Sequence, residues 1–309
     1  MKKILLIGSA NMDLSMNMLR VPEPGETLID DGGIAYTPGG KGANSAVAFA
    51  KLGADCVFCT KLGKDAHGQK LFNYYKECGI NTSHIKVDAE APTGLALVMK
   101  EADGSNRIVV YPGANTTLSN ENIIEAFACN PDAVYLGFEI PFATAVAAAK
   151  IASAKNIPIF IDAAPASKEY PLESLPYLEV FSPNETETFE YTGIMPRGTE
   201  SCLKAAHSLF TRLKAKYIVI KLGSRGAFVY DGKHYDLVAA YKPDAVVDTT
   251  AAGDTFTAGM TLEYLRSGNI KSAMRYGAAA AAIAVSRKGA GASVPTEAEV
   301  FDFIKRKGN

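Results

Sequence analysis

The chain has 309 residues, of which 48% are apolar and 21% charged, and its 32 Lys and Arg against 33 Asp and Glu leave a net charge of −1. This length predicts about two domains, or one large α/β domain with an insert, and buries enough surface to need neither disulfides nor a structural metal. The balanced charge argues against a general nucleic-acid binder, and the apolar content against a disordered chain.

The opening residues imitate a secretory signal, but the apolar run is short and meets Gly8-Ser9-Ala10-Asn11-Met12-Asp13, so residues 4–7 are predicted as a buried first strand. Residues 14–37 hold Pro22, Pro24, Gly25, Gly32 and Gly33 and predict short strands and turns. Cys56 and Cys59 sit in a strand-like stretch, where positions i and i+3 face opposite ways and cannot easily grip one metal. All five cysteines are expected to be reduced, which points to the cytoplasm. Residues 95–100 and 107–111 predict a hairpin that turns at 102–105.

Short continuous apolar runs at 133–136, 157–161 and 217–220 alternate with helical stretches at 142–155 and 201–214. Runs of this kind suit strands covered on both faces, so the fold class is α/β with a doubly wound, mostly parallel sheet. The two segments outside this rhythm are expected to pair as a small inserted sheet. The run at 278–285 falls short of a membrane span and predicts a closely packed helix.

Three glycine-rich stretches are the leads to chemistry, because glycine lets backbone amides approach a ligand. They are Gly39-Gly40-Lys41-Gly42-Ala43-Asn44, Lys221-Leu222-Gly223-Ser224-Arg225-Gly226, and Asp248-Thr249-Thr250-Ala251-Ala252-Gly253-Asp254-Thr255-Phe256. No G-x-x-x-x-G-K-[ST] phosphate loop occurs, and the first strand is not followed by G-x-G-x-x-G, which disfavours a nicotinamide enzyme. In the third stretch, Ala251, Ala252 and Gly253 would present amides at a helix N-terminus, with Asp254 where an anion is expected. An ordinary helix start with Asp in its first turn accounts for this pattern. So does a base that takes a proton from a nucleophile while the amides hold charge on a phosphoryl group.

The third stretch resembles the C-terminal signature of the ribokinase-like sugar kinases, and Gly39 to Asn44 resembles their N-terminal one. Pro24-Gly25-Glu26-Thr27, Pro92-Thr93-Gly94, Gly113-Ala114-Asn115, Pro183-Asn184-Glu185-Thr186-Glu187 and Arg287-Lys288-Gly289-Ala290 follow in the family's order, so the resemblance runs nearly the whole length. It implies an α/β core over 1–13, 38–93 and 112–309, with a β-sheet lid over the sugar from 14–37 and 94–111. ATP would donate its γ-phosphoryl group to a sugar hydroxyl, the 5-hydroxyl if the sugar is D-ribose. Asp254 would be the base, and the amides of Ala252, Gly253 and Asp254 the anion hole.

The same resemblance assigns the sugar to Asn11, Asp13, Gly39, Gly40, Lys41, Asn44 and Glu139. Taken alone, Asp13 also suits a turn cap, Lys41 a solvated charge and Glu139 a surface residue after a strand. ATP would meet Asn184, Gly223, Ser224, Gly226 and Gly253. Lys221, at a place where the family often has Thr or another small residue, either reaches a phosphate or projects to solvent; Ala278 replaces a frequent polar neighbour of the nucleotide. Glu187 would help place Mg²⁺ through water, and Asp248, Thr250, Ala284, Arg287, Gly289 and Ser293 would surround K⁺, several through carbonyls. Other sugars, including deoxyribose, another pentose or a ketose, and nucleosides remain alternative substrates, and a non-catalytic sensor is the alternative of another class. A homodimer through the lid is expected, since short lid strands leave edges to protect.

Overall fold

The computed structural model describes residues 1–103 and 105–307. Gly104, part of the turn expected at 102–105, lies outside the described residues, as do 308 and 309. Among the described residues the strands run β1 (Lys3–Ile7), β2 (Asn11–Met18), β3 (Ile34–Gly39), β4 (Asp55–Gly63), β5 (Ile85–Asp88), β6 (Gly94–Glu101), β7 (Asn106–Tyr111), β8 (Ala133–Leu136), β9 (Ile159–Asp162), β10 (Leu178–Ser182), β11 (Ala215–Lys221), β12 (Ala227–Tyr230) and β13 (Tyr235–Val238). The helices are α1 (Lys41–Lys51), α2 (Ala66–Glu77), α3 (Asn120–Ala126), α4 (Phe142–Ala154), α5 (Glu185–Thr192), α6 (Thr199–Arg212), α7 (Ala252–Ser267), α8 (Ile270–Ala284) and α9 (Glu297–Lys307).

Nine strands form the main sheet in the order β13-β12-β11-β10-β9-β8-β1-β4-β5. Pairing is parallel from β11 to β5 and antiparallel at the β11–β12 and β12–β13 junctions. Alternate residues of β1 divide the protein into two cores. Ile4 and Leu6 pack with α1, α2, α7, α8 and α9, whereas Leu5 and Ile7 pack with α3 to α6. Burial on both faces is why these strands read as unbroken apolar runs. Cys56 and Cys59 fall into opposite cores, as the strand period requires, and all five cysteines are free.

The two segments outside the β-then-α rhythm form a second sheet, in the order β3-β2-β6-β7. Its first strand starts at Asn11 and its second ends at Gly39, slightly beyond 14–37, because Asn11 pairs with both Gly39 and Gly94. The outer strands β3 and β7 leave Ile34, Tyr36, Ile108 and Val110 exposed. The small residues of α7 and α8 bring these helices into close contact: a Cβ on Gly277 would lie 2.6 Å from the Phe256 carbonyl oxygen. No helix of the described residues is long and apolar enough to cross a membrane.

Candidate active site

The parallel strands bring their carboxyl ends to one edge, where open α/β sheets bind ligands. Ser9 follows β1, Glu139 follows β8, Asp162 ends β9, Asn184 follows β10 and Lys221 ends β11. Facing them are the first turns of α1 and α7.

At the α1 end the glycines are required by contact. A Cβ on Gly39 would collide with the Asp13 carboxylate, and one on Gly42 with the backbone of Ser9. The Ser9 hydroxyl donates to Glu139, whose Oε2 also accepts from the Lys41 amide at 2.9 Å. Glu139 is thus fixed against the glycine-rich turn and is no free surface residue. Asn115 supports the other side, with its Oδ1 accepting from the Ala10 amide at 2.9 Å and its Nδ2 donating to Asn11 Oδ1 at 2.8 Å. Burial, reinforced by the nearby Glu139 charge, pushes the Asp13 carboxyl up to about 7, with Lys100 opposing.

At the α7 end, Ala251 adopts a left-handed conformation with φ 59°. A non-glycine residue is strained there, and such strain tends to persist at functional sites. The turn directs the start of α7 into the site. The Ala252 amide, expected in the anion hole, donates instead to the Thr249 carbonyl over a long 3.3 Å. The amides of Gly253 and Asp254 have no hydrogen-bond partner among the described residues.

Asp254 is buried, and its Oδ2 accepts from Asn44 Nδ2 at 3.0 Å. Burial raises its proton affinity and Asp162 adds to the rise, while Lys41, Lys221 and the Asn44 hydrogen bond pull it back. Lys41 turns inward rather than to solvent. Asp254 is the first cause of its ammonium holding its proton well above the usual lysine range, against the effect of burial.

Sequence reasoning missed Asp162 and Thr257. Asp162 Oδ2 accepts from Lys221 Nζ at 2.8 Å and from the Thr257 hydroxyl at 3.1 Å, and Oδ1 is buried without a partner. Lys221, left open between phosphate and solvent, is thereby held inside the site. A lone Asp ending an apolar strand carries no local signal. Only its position at a strand's carboxyl end pointed here.

Asn184 and Glu187 form a reciprocal cap on α5, so the Asn184 side chain is engaged with Glu187. Glu187 is buried, which raises its carboxyl pKa; Asp162 adds to this and Lys221 and Lys41 oppose it. Among the described residues no group of three or more His, Cys, Asp or Glu side chains converges to hold a metal directly. The unpartnered Asp162 oxygen beside Glu187 fits a hydrated divalent ion better than direct ligation. Gly223 to Arg225, expected to meet the nucleotide, form a single 3-10 turn after β11, with Ser224 exposed and a Cβ on Gly226 excluded by the Val238 carbonyl.

The residues expected around K⁺ lie on the loop before α7 and on the stretch from the last residue of α8 to Ser293, stitched together by Asp248. Its Oδ1 accepts from the Thr250 amide at 2.9 Å and hydroxyl at 2.6 Å, and its Oδ2 from the Gly289 amide at 3.0 Å. Burial would raise the Asp248 carboxyl, but these hydrogen bonds together lower it. Ser293 is buried and donates to the Ala290 carbonyl at 2.7 Å, while the Ala284 carbonyl accepts from the Arg287 amide. The Arg287 guanidinium pairs with Glu299. A carboxylate with carbonyls on pliable backbone suits a large monovalent ion.

The family model for pfkB family carbohydrate kinases matches residues 1–297. A ribokinase of Haemophilus influenzae is 36% identical over 308 residues, covering 98% of this chain and 99% of the relative. A deoxyribokinase of Salmonella typhi is 31% identical over 305 residues, covering 97% and 98%. The solved structure of Arabidopsis thaliana ribokinase complexed with ribose and ATP superposes with a TM-score of 0.89 at 31% identity, covering 98% of this chain and 99% of that one.

Proposed function

The chain belongs to the pfkB family of carbohydrate kinases, and from that membership we propose that it transfers the γ-phosphoryl group of ATP to the 5-hydroxyl of D-ribose. The observation that carries this reading is the Asn44–Asp254 hydrogen bond. It joins the glycine-rich sugar motif to the helix that begins the anion hole, so an alcohol held by one lies against the base of the other.

Asn11, Asp13, Asn44 and Glu139 hold the sugar hydroxyls, pairing acceptors with donors. The hydroxyl oxygen attacks the γ-phosphorus, its proton passes to Asp254, and the bond to the bridging oxygen breaks to release ADP. The free amides of Gly253 and Asp254 stabilise charge on the transferring group; the Ala252 amide completes the hole only by leaving its long bond to Thr249. The transition state is loose, so position matters more than base strength. Asn184, Gly223, Ser224 and Gly226 line the nucleotide side. Glu187 with the free oxygen of Asp162 would hold the waters of a Mg²⁺ ion, which would supply neutralisation of phosphate charge. K⁺ would lie between the Asp248–Thr250 loop and the carbonyls near Ala284, Arg287, Gly289 and Ser293.

The exposed Ile34, Tyr36, Ile108 and Val110 at the two lid edges support a homodimer through this sheet. A monomer mass in light scattering at micromolar concentration would remove that part of the reading. The free cysteines support a cytoplasmic location.

Measuring ADP release with a panel of ribose, 2-deoxyribose, ketoses and nucleosides tests the assignment. Ribose is expected to give the highest kcat/KM. The deoxyribokinase relative makes 2-deoxyribose the competitor to include, and a higher kcat/KM on it would overturn the ribose assignment.

A further inference from the structure

We infer that Lys221 is a catalytic residue of this reaction, a fixed cation that contacts the transferring phosphoryl group, and that Asp162 is the residue that positions it. The inference rests on the kinase reading above.

Four observations lead to it. Lys221 and Asp162 form an ion pair at 2.8 Å with side chains only 11% and 6% exposed. Desolvating such a pair offsets most of its attraction, so stability alone does not explain why the fold keeps it. Second, the ammonium has three donors. Asp162 takes one and Thr257 lies at a long 3.4 Å, so donor capacity remains.

Third, the space in front of Gly253 is open. A Cβ built there would meet one heavy atom within 4 Å, Lys221 Nζ at 3.9 Å. A phosphoryl oxygen bound to the unpaired Gly253 amide would lie beside that space, with the ammonium close by. Fourth, Thr257 ties the pair to the anion hole, its hydroxyl lying 3.1 Å from Asp162 Oδ2 and 3.0 Å from the Gly253 carbonyl. Lys221 is therefore linked, through Asp162 and Thr257, to the helix start whose amides would bind the same group.

Lys221 exchanges no proton in this role. The hydroxyl proton goes to Asp254, the oxygen–phosphorus bond forms as the bridging bond breaks, and Lys221 balances the charge spread over the equatorial oxygens. Removing one such preorganised donor costs about 100-fold or more in kcat.

The test compares Lys221→Met, Lys221→Arg and the double variant Asp162→Asn/Lys221→Met with the full-length wild type. The double variant leaves no unpaired buried charge and guards against misfolding of the single one. The expected result is a fall in kcat of about 100-fold in both Met variants, with ribose affinity within threefold and partial recovery in Lys221→Arg. Binding of ADP with aluminium fluoride, a mimic of the transferring group, should weaken more than 30-fold, while ADP alone changes less than threefold. Wild-type kcat in the double variant, or equal losses for ADP and its fluoride complex, would overturn the inference. A wild type inactive on every sugar would instead overturn the kinase reading.

Discussion

Asn44 donates to the carboxylate of Asp254 at 3.0 Å, joining residues 210 positions apart in the chain. With one oxygen of Asp254 held this way, the kinase reading leaves the other for the substrate hydroxyl. Asp254→Asn keeps the shape and removes the base. A fall in kcat of at least about 100-fold is expected, with ribose affinity within a few-fold by calorimetry. Turnover near the wild-type rate would remove Asp254 from its role.

Sugar binding should depend on pH through Asp13. Its carboxyl titrates at about 7 because burial and Glu139 oppose ionisation. A protonated Asp13 loses acceptor capacity for sugar hydroxyls, so affinity is present above about pH 7 and declines as pH falls below it. The limiting slope is about tenfold per unit for one proton. Calorimetric titration from pH 5.5 to 8.5 reads this slope, and Asp13→Asn should flatten it.

Lys41 lowers the proton affinity of Asp254. Replacing it by Met removes that influence, so the acid limb of kcat/KM should move to higher pH, by about one unit for a loss of ~1.4 kcal/mol of favourable interaction. An unmoved limb would show that the charge of Lys41 does not reach the base.

Ala251 is strained by its positive φ. Ala251→Gly relieves about 1–2 kcal/mol in the folded state and returns part of it through a more flexible unfolded chain. A net gain of about 0.5–1 kcal/mol in denaturant unfolding is expected. A looser helix start should lower kcat several-fold at the same time.

Chelation of divalent ions should abolish turnover, and Mg²⁺ in excess should restore it. Replacing K⁺ by tetramethylammonium, a much larger cation that carbonyl oxygens cannot approach closely, should lower kcat and leave ribose affinity unchanged. Asp248→Ala should weaken the response to K⁺, since it removes the stitch to Gly289.

Much of this was legible in the sequence because its signals are local. The glycine-rich turn before α1 announces itself by composition, and residues 14–37 and 95–111 show by their lack of βαβ spacing that they leave the main sheet. The late helix start shows its acid and small residues within a few positions. What stayed hidden was pairing over distance. Asp162 and Lys221 end different strands, and nothing local says that β9 and β11 flank β10 closely enough for an ion pair. The use of the Ala252 amide by Thr249 depends on one backbone rotation at Ala251, which a residue type chosen for helix cannot report.

Asn11 and Asp13 occupy the first turns of pleat in β2, and Asn11 pairs with Gly39 at the foot of β3. The second sheet is therefore rooted at the same residues that would grip the carbohydrate under the kinase reading. Any tilt of that sheet would carry the Asp13 carboxylate with it, so on that reading filling the cleft and shutting it would be one mechanical event, and a carbohydrate already seated would present the nucleotide with a cleft whose walls have stopped moving.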